Sequence, residues 1–355
     1  MVYQMMSKFK SYLRFSLCFS ILACQTASQK DAPPIPSPET RSPTEPSRSD
    51  SGVPPSEPPT LSSDFQSQAC ANTYDTPENY FSLPGTLLLE ISGISPSLRQ
   101  ENLYWGHNDS GDAAQIYAID TNGNHRATLQ ISNTDARDFE DMASGPCPNS
   151  TAPCLYVADV GDNRHERPHL LIHILEEPDL GSGLETQTHT TASLKTITLT
   201  FTGLKPNIEG FVIDSTRDVG FLFEKTEGDS ARLFRLDLNG ETTQPLTALG
   251  QFSNPSHDNL SGQNKLITAA AYHSSAKRLL LKTYGGMYEY RFVGGKSIED
   301  IDSITPIVLG GRPSWELQGE AITYNHRGDT VVSASEDPLE QGGQQVSQMK
   351  CSAQP

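Results

Sequence analysis

A short sequence pattern recurs five times in this chain, and it restricts the fold more than any other feature does. Each copy begins with an acidic or hydroxyl residue, which an apolar strand, a turn and a second strand follow. The lead residues, at intervals of 48, 69, 59 and 52 residues, are Ser92, Glu140, Glu209, Thr268 and Glu320. Repeats of roughly 50 residues built from short strands are typical of a β-propeller. The sequence therefore predicts an all-β, five-bladed propeller; six blades is the alternative, and the number of copies argues against a β-sandwich.

The remaining strands of each blade can be placed by the same pattern. Second strands are predicted at residues 102–107, 155–159, 219–224, 278–284 and 330–335, and third strands follow at 115–120, 169–175, 232–238 and 287–292. Fourth strands are predicted at 127–131, 194–201, 245–252 and 305–309. Too few residues follow Glu320 for a fourth strand, so an N-terminal strand is needed to close the ring. The apolar segment 86–89 is the candidate.

The N-terminus reads as an export signal. Lys8, Lys10 and Arg14 precede a nine-residue apolar run, 15–23, which is too short to span a bilayer. Residues 21–24, Ile-Leu-Ala-Cys, resemble a bacterial lipobox, in which Cys24 becomes the lipidated first residue. The sequence therefore predicts a lipoprotein signal at 1–23 and anchoring in the bacterial cell envelope, at the outer membrane because Gln25 replaces the aspartate of inner-membrane retention. An ordinary signal peptide is the alternative.

Residues 24–66 are rich in Pro, Ser and Thr and poor in apolar side chains. Such a composition cannot offset the entropy of ordering, so we expect an extended tether, with the propeller domain at 67–355. The chain carries a formal net charge of −17. That charge repels a phosphate backbone and argues against nucleic acid as a partner.

Four cysteines remain in the predicted domain once Cys24 and the signal peptide are set aside. Cys147 and Cys154 flank a short loop, and Cys70 and Cys351 stand at the two ends of the domain. We expect these two pairs to form disulfides, the second joining the two ends of the domain. A zinc site is the rival interpretation, but no histidine lies at ligand spacing.

The lead residues predict a metal site. In a propeller the innermost strands line the central channel, so Ser92, Glu140, Glu209, Thr268 and Glu320 should form a ring at one mouth. Three carboxylates that close together repel one another unless they are protonated or bridged by a cation. Oxygen ligands in a flexible ring suit Ca²⁺. The alternative is that they satisfy backbone groups around a water-filled channel.

Polar residues at the ends of the second strands should surround this ring. Candidates for acid–base chemistry are His107, Asp109, Asp159 and Asp162, and candidates for binding an anionic substrate are Asn108, Asn163, Arg164, Lys225, Lys282 and Tyr284. Asn and Asp beside Gly are also ordinary turn formers. No nucleophile elbow, P-loop or dinucleotide fingerprint occurs in the sequence.

Three motifs carry a resemblance to known proteins: His-Asn-Asp-Ser-Gly at 107–111, Asp-Phe-Glu-Asp at 138–141 and Asp-Val-Gly-Asp-Asn at 159–163. The chain resembles secreted bacterial propeller lipoproteins without an assigned activity. More distantly, the order of its five lead residues is similar to that of five-bladed, calcium-activated nucleotidases (apyrases). That resemblance implies an axial Ca²⁺ held by Ser92, Glu140, Glu209, Thr268 and Glu320. It does not extend to the nucleotide-contacting residues.

These observations leave three functional hypotheses. The first is a lipid-anchored propeller with an axial calcium site that binds a small anionic ligand or acts as an enzyme at the channel mouth. The second is a calcium-dependent phosphoester or nucleotide hydrolase. The third is a structural envelope protein that docks a protein partner.

Overall fold

A computed structural model describes Cys70 and residues 73–203, 205–257 and 260–352. The predicted signal peptide, Cys24, the tether and the start of the domain at residue 67 lie outside these residues. The described part contains two short 3-10 helices, Gly262–Lys265 and Ile298–Ser303, and no helix in it is long and apolar enough to cross a membrane.

The strands, in chain order, are β1 (Glu78–Ser82), β2 (Ile91–Pro96), β3 (Leu103–Asn108), β4 (Gln115–Asp120), β5 (His125–Ser132), β6 (Phe139–Pro146), β7 (Pro153–Asp159), β8 (Leu170–Glu176), β9 (Gln187–Ala192), β10 (Lys195–Thr200), β11 (Ile208–Asp214), β12 (Val219–Glu224), β13 (Ser230–Asp237), β14 (Thr243–Pro245), β15 (Thr247–Ser253), β16 (Ile267–His273), β17 (Arg278–Thr283), β18 (Gly286–Arg291), β19 (Ile307–Gly311), β20 (Gln318–Tyr324), β21 (Thr330–Glu336) and β22 (Gln345–Lys350).

These strands form five sheets, which are the five blades of a β-propeller. From the inside outward, blade 1 is β2-β3-β4-β5-β9, blade 2 is β6-β7-β8-β10-β14, and blade 3 is β11-β12-β13-β15. Blade 4 is β16-β17-β18-β19, and blade 5 is β20-β21-β22-β1. Each innermost strand contacts the next around the ring, and β20 returns to β2. The predicted fold and the predicted number of blades are confirmed.

Apolar side chains hold neighbouring blades together. Each blade has two faces because side chains alternate along its strands, and both faces must be covered. Five buried clusters do this, one at each blade interface. Representative members are Trp105 and Leu155 for blades 1 and 2, Tyr156 and Leu222 for blades 2 and 3, Phe221 and Tyr288 for blades 3 and 4, Met287 and Ile322 for blades 4 and 5, and Tyr104 and Val332 for blades 5 and 1.

The strand that closes the ring differs from the predicted one. Residues 86–89 form turns, whereas β1 pairs antiparallel with β22. The apolar signal in the loop has another cause, because Leu88 is buried in the cluster between blades 5 and 1. An N-terminal strand does close the ring, but the segment predicted for it was wrong.

Two outer strands were not predicted, β9 and β14. β9 lies between β8 and β10 in the chain but pairs in parallel with β5 of blade 1. β14 lies between β13 and β15 but pairs in parallel with β10 of blade 2. Their sequences, Gln-Thr-His-Thr-Thr-Ala and Thr-Gln-Pro, contain no apolar face. Periodicity therefore gave no signal for them.

Both predicted disulfides are present. Cys147 bonds to Cys154, and Cys70 bonds to Cys351 across a sequence separation of 281. The second bond lies where β1 and β22 close the ring, because neighbouring Tyr74 forms a bridge with Cys351. It therefore fastens the seam of the propeller.

We expect the seam disulfide to stabilise the fold more than the loop disulfide does. In the chain-entropy model, its loss costs about 5 kcal/mol, against about 2 kcal/mol for the seven-residue separation of Cys147 and Cys154. Denaturant unfolding of Cys70→Ser/Cys351→Ser and Cys147→Ser/Cys154→Ser measures the difference. A smaller loss for the seam pair would contradict the expectation.

Candidate functional site

The five lead residues occupy equivalent positions in the five blades. In each innermost strand the pairing with the second strand slips by one residue, and the extra residue is Ser92, Glu140, Glu209, Thr268 or Glu320. A bulge of this kind redirects a side chain away from the regular alternation. All five lie at the end of the central channel where the innermost strands begin, which we call the upper mouth. All five are at most 4% exposed.

The two hydroxyl residues of this ring bind backbone groups of the following blade. Ser92 Oγ donates a hydrogen bond to the carbonyl oxygen of Glu140 at 2.7 Å, and Thr268 Oγ1 donates to that of Gly319 at 2.8 Å. Ser92 Oγ also lies 3.5 Å from Glu140 Oε2. The hydroxyls thus tie blade 1 to blade 2 and blade 4 to blade 5.

Glu140 belongs to a cluster of three carboxylates. One oxygen each of Asp109, Asp138 and Glu140 lies within 4.8 Å of the others. Glu140 is 2% exposed, and its Oε1 has no hydrogen-bond partner among the described residues. Burial raises the pKa of Glu140 well above its usual range, and the charges of Glu209 and Asp109 raise it further. Such a group needs either a proton or a cation.

Gly161 makes room for this cluster. A Cβ atom at Gly161 would lie 2.0 Å from Glu140 Oε1 and 2.4 Å from Asp138 Oδ2. The backbone of the Asp-Val-Gly-Asp-Asn motif therefore packs directly against two of the three carboxylates. Only glycine allows that approach.

Replacing Gly161 with alanine should push these carboxylates apart. On the hypothesis that the mouth binds Ca²⁺, we expect the affinity for the ion to fall roughly tenfold or more, because a misplaced ligand loses most of its contribution. Isothermal titration with Ca²⁺ measures the change. Gly183→Ala is the matched control, because a Cβ there meets nothing within 4 Å. Equal affinities for the two variants would contradict the role given to Gly161.

The neighbouring blade 3 carries its own cation at the mouth, Lys225. Its Nζ lies 2.9 Å from Glu209 Oε1 and donates a hydrogen bond to Tyr284 OH at 3.1 Å. Tyr284 OH in turn donates to Glu320 Oε1 at 2.6 Å. Burial alone would lower the pKa of Lys225, but Glu209 and Glu320 raise it well above its usual range. Lys225 therefore stays charged and neutralises this half of the mouth.

Strand register explains which second-strand residues reach the mouth. In blades 1, 3 and 4, the residue just before the bulge pairs with a residue of the second strand. The next residue of the chain is Asp109, Lys225 or Tyr284, so these three side chains occupy equivalent positions. Glu336 occupies the same position in blade 5. The charges of Glu320 and Asp109 act on Glu336, whose pKa burial raises well above its usual range. These four side chains form the wall of the mouth.

His107 and Lys282 occupy a different register position, and the structure buries both of them between blades. Each pairs with the residue after the bulge, as Phe223 does in blade 3. Lys282 is 1% exposed, and its Nζ lies 2.8 Å from Glu316 Oε2. His107 packs on Phe139, with ring centroids 5.6 Å apart, and burial lowers its pKa to about 4. Neither side chain lies at the mouth.

Asp159 and Asp162 hold the loop after β7. Asp159 Oδ1 accepts hydrogen bonds from Arg167 Nη1 at 2.7 Å and from the Asp138 N–H at 3.0 Å. Asp162 accepts from the N–H groups of Glu166 and Arg167 at 2.8 and 2.9 Å. Both carboxylates are buried, and only Asp159 Oδ2 lacks a hydrogen-bond partner among their oxygens in the described structure. Their contacts position the neighbouring cluster, and a catalytic role for them stays a prediction.

The remaining predicted substrate ligands lie at the edge of the site. Asn108 Nδ2 donates to Asp112 Oδ2 at 2.8 Å, as in an ordinary turn. Asn163 Oδ1 accepts a hydrogen bond from Asn207 at 3.1 Å, and Arg164 is exposed. Their role in binding is likewise still a prediction.

Two contributors were missed as site residues, Asp138 and Asn207. Asn207 Nδ2 donates to Glu209 Oε1 at 3.2 Å, and Asn207 Oδ1 accepts from the Asp162 N–H at 2.7 Å. Asp138 and Asn207 each stand two residues before a lead residue. The same offset gives a polar residue in four of the five copies, Glu90, Asp138, Asn207 and Gln318. This recurring polar position could have identified Asp138 and Asn207 as site residues from the sequence.

Comparisons with known proteins add little to this picture. No protein-family model matches the chain, and no curated protein matches it. Solved structures that match include U3-55K (10% identity, 73% of this chain and 67% of that one, TM-score 0.35) and the WD40 repeats of RRP9 (11%, 74% and 67%, 0.36). A chain of the mitotic checkpoint complex also matches (9%, 73% and 63%, 0.35). These likenesses concern the propeller fold alone.

Proposed function

We propose that this protein is an exported, lipid-anchored propeller whose upper mouth binds one Ca²⁺ and, next to it, a small anionic ligand. The observation that carries the proposal is the buried, unpartnered Glu140 Oε1 beside the carboxylates of Asp109 and Asp138. Their donor atoms fit a hard cation that prefers several oxygens in flexible geometry. A propeller fold is itself consistent with a module that binds a ligand or a partner.

In this proposal Glu140, Asp138 and Asp109 hold the ion, and Glu209 stands next to them. The ion supplies a positive charge for an anionic group of the ligand. Of the ring expected from the sequence, Ser92 and Thr268 spend their hydroxyl bonds on protein groups. Glu320 Oε1 accepts a hydrogen bond from Tyr284 OH, and its Oε2 is buried without a partner among the described residues. The proposed site follows the three clustered carboxylates, which belong to blades 1 and 2. Lys225 keeps a positive charge on the neighbouring blade 3.

Calcium titration tests the proposal directly. We expect one Ca²⁺ per chain and a higher melting temperature in calcium than in chelator, because binding to the folded state alone stabilises it. Asp138→Asn and Glu140→Gln should abolish both effects. Asp135→Asn is the control, since Asp135 is exposed in the same segment. No heat of binding in the wild type would overturn the calcium site.

A hydrolase at this mouth is the alternative to a binding module. The cationic candidates for binding an anionic substrate were Lys225, Lys282 and Arg164, and burial of Lys282 beside Glu316 removes one of them. We therefore favour binding over hydrolysis. A phosphoester and nucleotide panel, assayed with calcium and with chelator, distinguishes the two. Turnover that follows calcium and is lost in Glu140→Gln would replace the binding module with a hydrolase.

Anchoring in the bacterial cell envelope is proposed from the lipobox-like residues 21–24. Labelling with radioactive palmitate, followed by separation of inner and outer membranes, tests it. We expect labelled protein in the outer membrane and no label in Cys24→Ala. Label retained by that variant would contradict an anchor at Cys24.

Calcium binding should weaken as the pH falls through about 6. Burial, with the charge of Glu209, raises the pKa of Asp138 from 3.8 to about 6. Without metal, this group favours folding at low pH, and that contribution is lost as the pH rises through about 6. A bound cation replaces the proton, so the calcium-induced rise in melting temperature should be larger at pH 7.5 than at pH 5. Thermal melts at both pH values measure it, and an equal rise would contradict the prediction.

A further inference from the structure

The end of the channel opposite the carboxylates opens into a funnel with a cavity volume of about 330 Å³. All five innermost strands contribute to its wall. The third residue after the lead is small in four of the five strands, where it is Ser95, Ala143, Ala271 or Thr323, and each of these lines the cavity. Small side chains at this level leave the space that larger ones would fill. The volume is at the lower end of the range for small-molecule sites.

The lining of this lower funnel has a chemistry that contrasts with the rest of the molecule. No Asp, Glu, Lys or Arg lines it among the residues that the structure describes, although the chain carries a formal net charge of −17. Its surface is mainly apolar, with hydroxyl and imidazole groups among the apolar side chains. A charged ligand would lose its hydration there without gaining a counter-charge. An uncharged one would not.

Hydrogen bonds between blades fix the wall of the funnel. Ser144 Oγ donates to the Pro96 carbonyl at 2.6 Å and joins blade 2 to blade 1. Ser274 Oγ accepts a hydrogen bond from the Ser215 N–H at 3.1 Å and joins blade 4 to the loop after β11 of blade 3. His326 Nδ1 bonds to the Ser97 carbonyl at 2.9 Å and joins the loop after β20 to the loop after β2. The cavity is thus preformed, which reduces the entropy cost of binding.

We propose that the lower funnel is a second binding site, which takes an uncharged small molecule with an apolar body and hydroxyl or carbonyl groups at its outer end. The apolar body would lie against the partly exposed Ala143, Ala271 and Tyr272, and the polar end would meet the hydroxyls near the rim. The site does not depend on calcium, because none of the three clustered carboxylates lines it.

The probe for this site is N-phenyl-1-naphthylamine, an uncharged apolar fluorophore, titrated into the full chain carrying Cys24→Ser. We expect saturable binding of one probe per chain. The sulfonated analogue, 1-anilinonaphthalene-8-sulfonate, should bind roughly tenfold more weakly, since its charge has no partner in the funnel. Equal affinity for the two probes would overturn the assignment of an uncharged ligand.

Two variants locate the binding. Ala143→Trp fills the funnel from blade 2 and should weaken binding of the uncharged probe roughly tenfold or more, a loss of about 1.4 kcal/mol. Ala192→Trp, on the exposed edge strand β9, is the control and should leave it unchanged. Ala271→Leu, a smaller change in blade 4, provides the test if Ala143→Trp fails to fold. Binding that survives both funnel variants, or a stoichiometry of one probe per two chains, would overturn the proposal.

One further variant separates this proposal from the calcium site. Asp138→Asn should abolish calcium binding and leave binding of the uncharged probe unchanged. Loss of probe binding in Asp138→Asn would place the probe at the upper mouth and overturn the funnel site, whatever the calcium result.

Discussion

Replacing Asp141 with alanine should lower the free energy of unfolding by about 4 kcal/mol, the largest loss that we expect from a single substitution. Asp141 is fully buried among the innermost strands. Its Oδ2 accepts the N–H groups of Phe211 and Ala270 at 2.8 and 3.0 Å, and its Oδ1 accepts the Met142 N–H at 2.8 Å. One side chain therefore joins the backbones of blades 2, 3 and 4. Alanine would leave three buried donors without an acceptor.

Denaturant unfolding of Asp141→Ala measures this loss. Asp141→Asn keeps one acceptor oxygen and should recover part of the stability. Asp135→Ala, at an exposed position on the segment before β6, is the control and should change stability by less than about 0.5 kcal/mol. If Asp141→Ala were as stable as the control, the carboxylate would not be the joint between the three blades.

At the proposed calcium site, replacing Lys225 with methionine should increase the affinity for Ca²⁺ roughly ten- to a hundredfold. Lys225 places a positive charge 2.9 Å from Glu209, which stands beside the three clustered carboxylates. Methionine keeps much of the volume and removes the charge that repels the incoming cation. Glu209 is then left as a buried acid without its partner, so it becomes an additional ligand.

The same substitution should destabilise the metal-free protein by about 3 kcal/mol, because it leaves one half of a buried ion pair unpaired. Calcium titration and thermal melts of Lys225→Met with and without calcium measure both effects. Lys265→Met is the matched control, because Lys265 pairs with the exposed Asp229. Weaker calcium binding in Lys225→Met than in this control would show that Lys225 positions Glu209 for the cation.

The fold was predictable from the sequence because its repeats impose the same local pattern five times. A lead residue, a small or apolar strand and a turn recur whether or not the flanking loops have equal length. The closing strand could not be predicted in the same way. In β1 only Phe81 is buried and Tyr80 is partly buried, whereas the loop at 86–89 contains three consecutive leucines. The leucines at 86–89 correctly indicate packing in the core, but they lie in turns and not in a strand.

The candidate site was predictable only where strand register could be deduced. Lys225 and Tyr284 lie one residue beyond their second strands, and Lys282 lies within β17 at the register of Phe223. A shift of one residue moves a side chain from the mouth to the space between blades. The predicted end of β12 at residue 224 was correct, whereas the end of β17 was predicted at residue 284, one residue too late. The hydrogen bond from Lys225 to Tyr284 depends on blades 3 and 4 meeting in space, which one sequence does not encode locally.

The parallel strands β9 and β14 affect how the ring can come apart. β9 lies in the part of the chain that forms blade 2 but pairs with the outer strand of blade 1. β14 lies in the part that forms blade 3 but pairs with the outer strand of blade 2. Blades 1, 2 and 3 are therefore joined by exchanged edge strands. None of these three can detach without pulling an edge away from its neighbour. A partly opened form of this protein would therefore lose these three blades as one unit, while the seam bond between Cys70 and Cys351 retains the two ends.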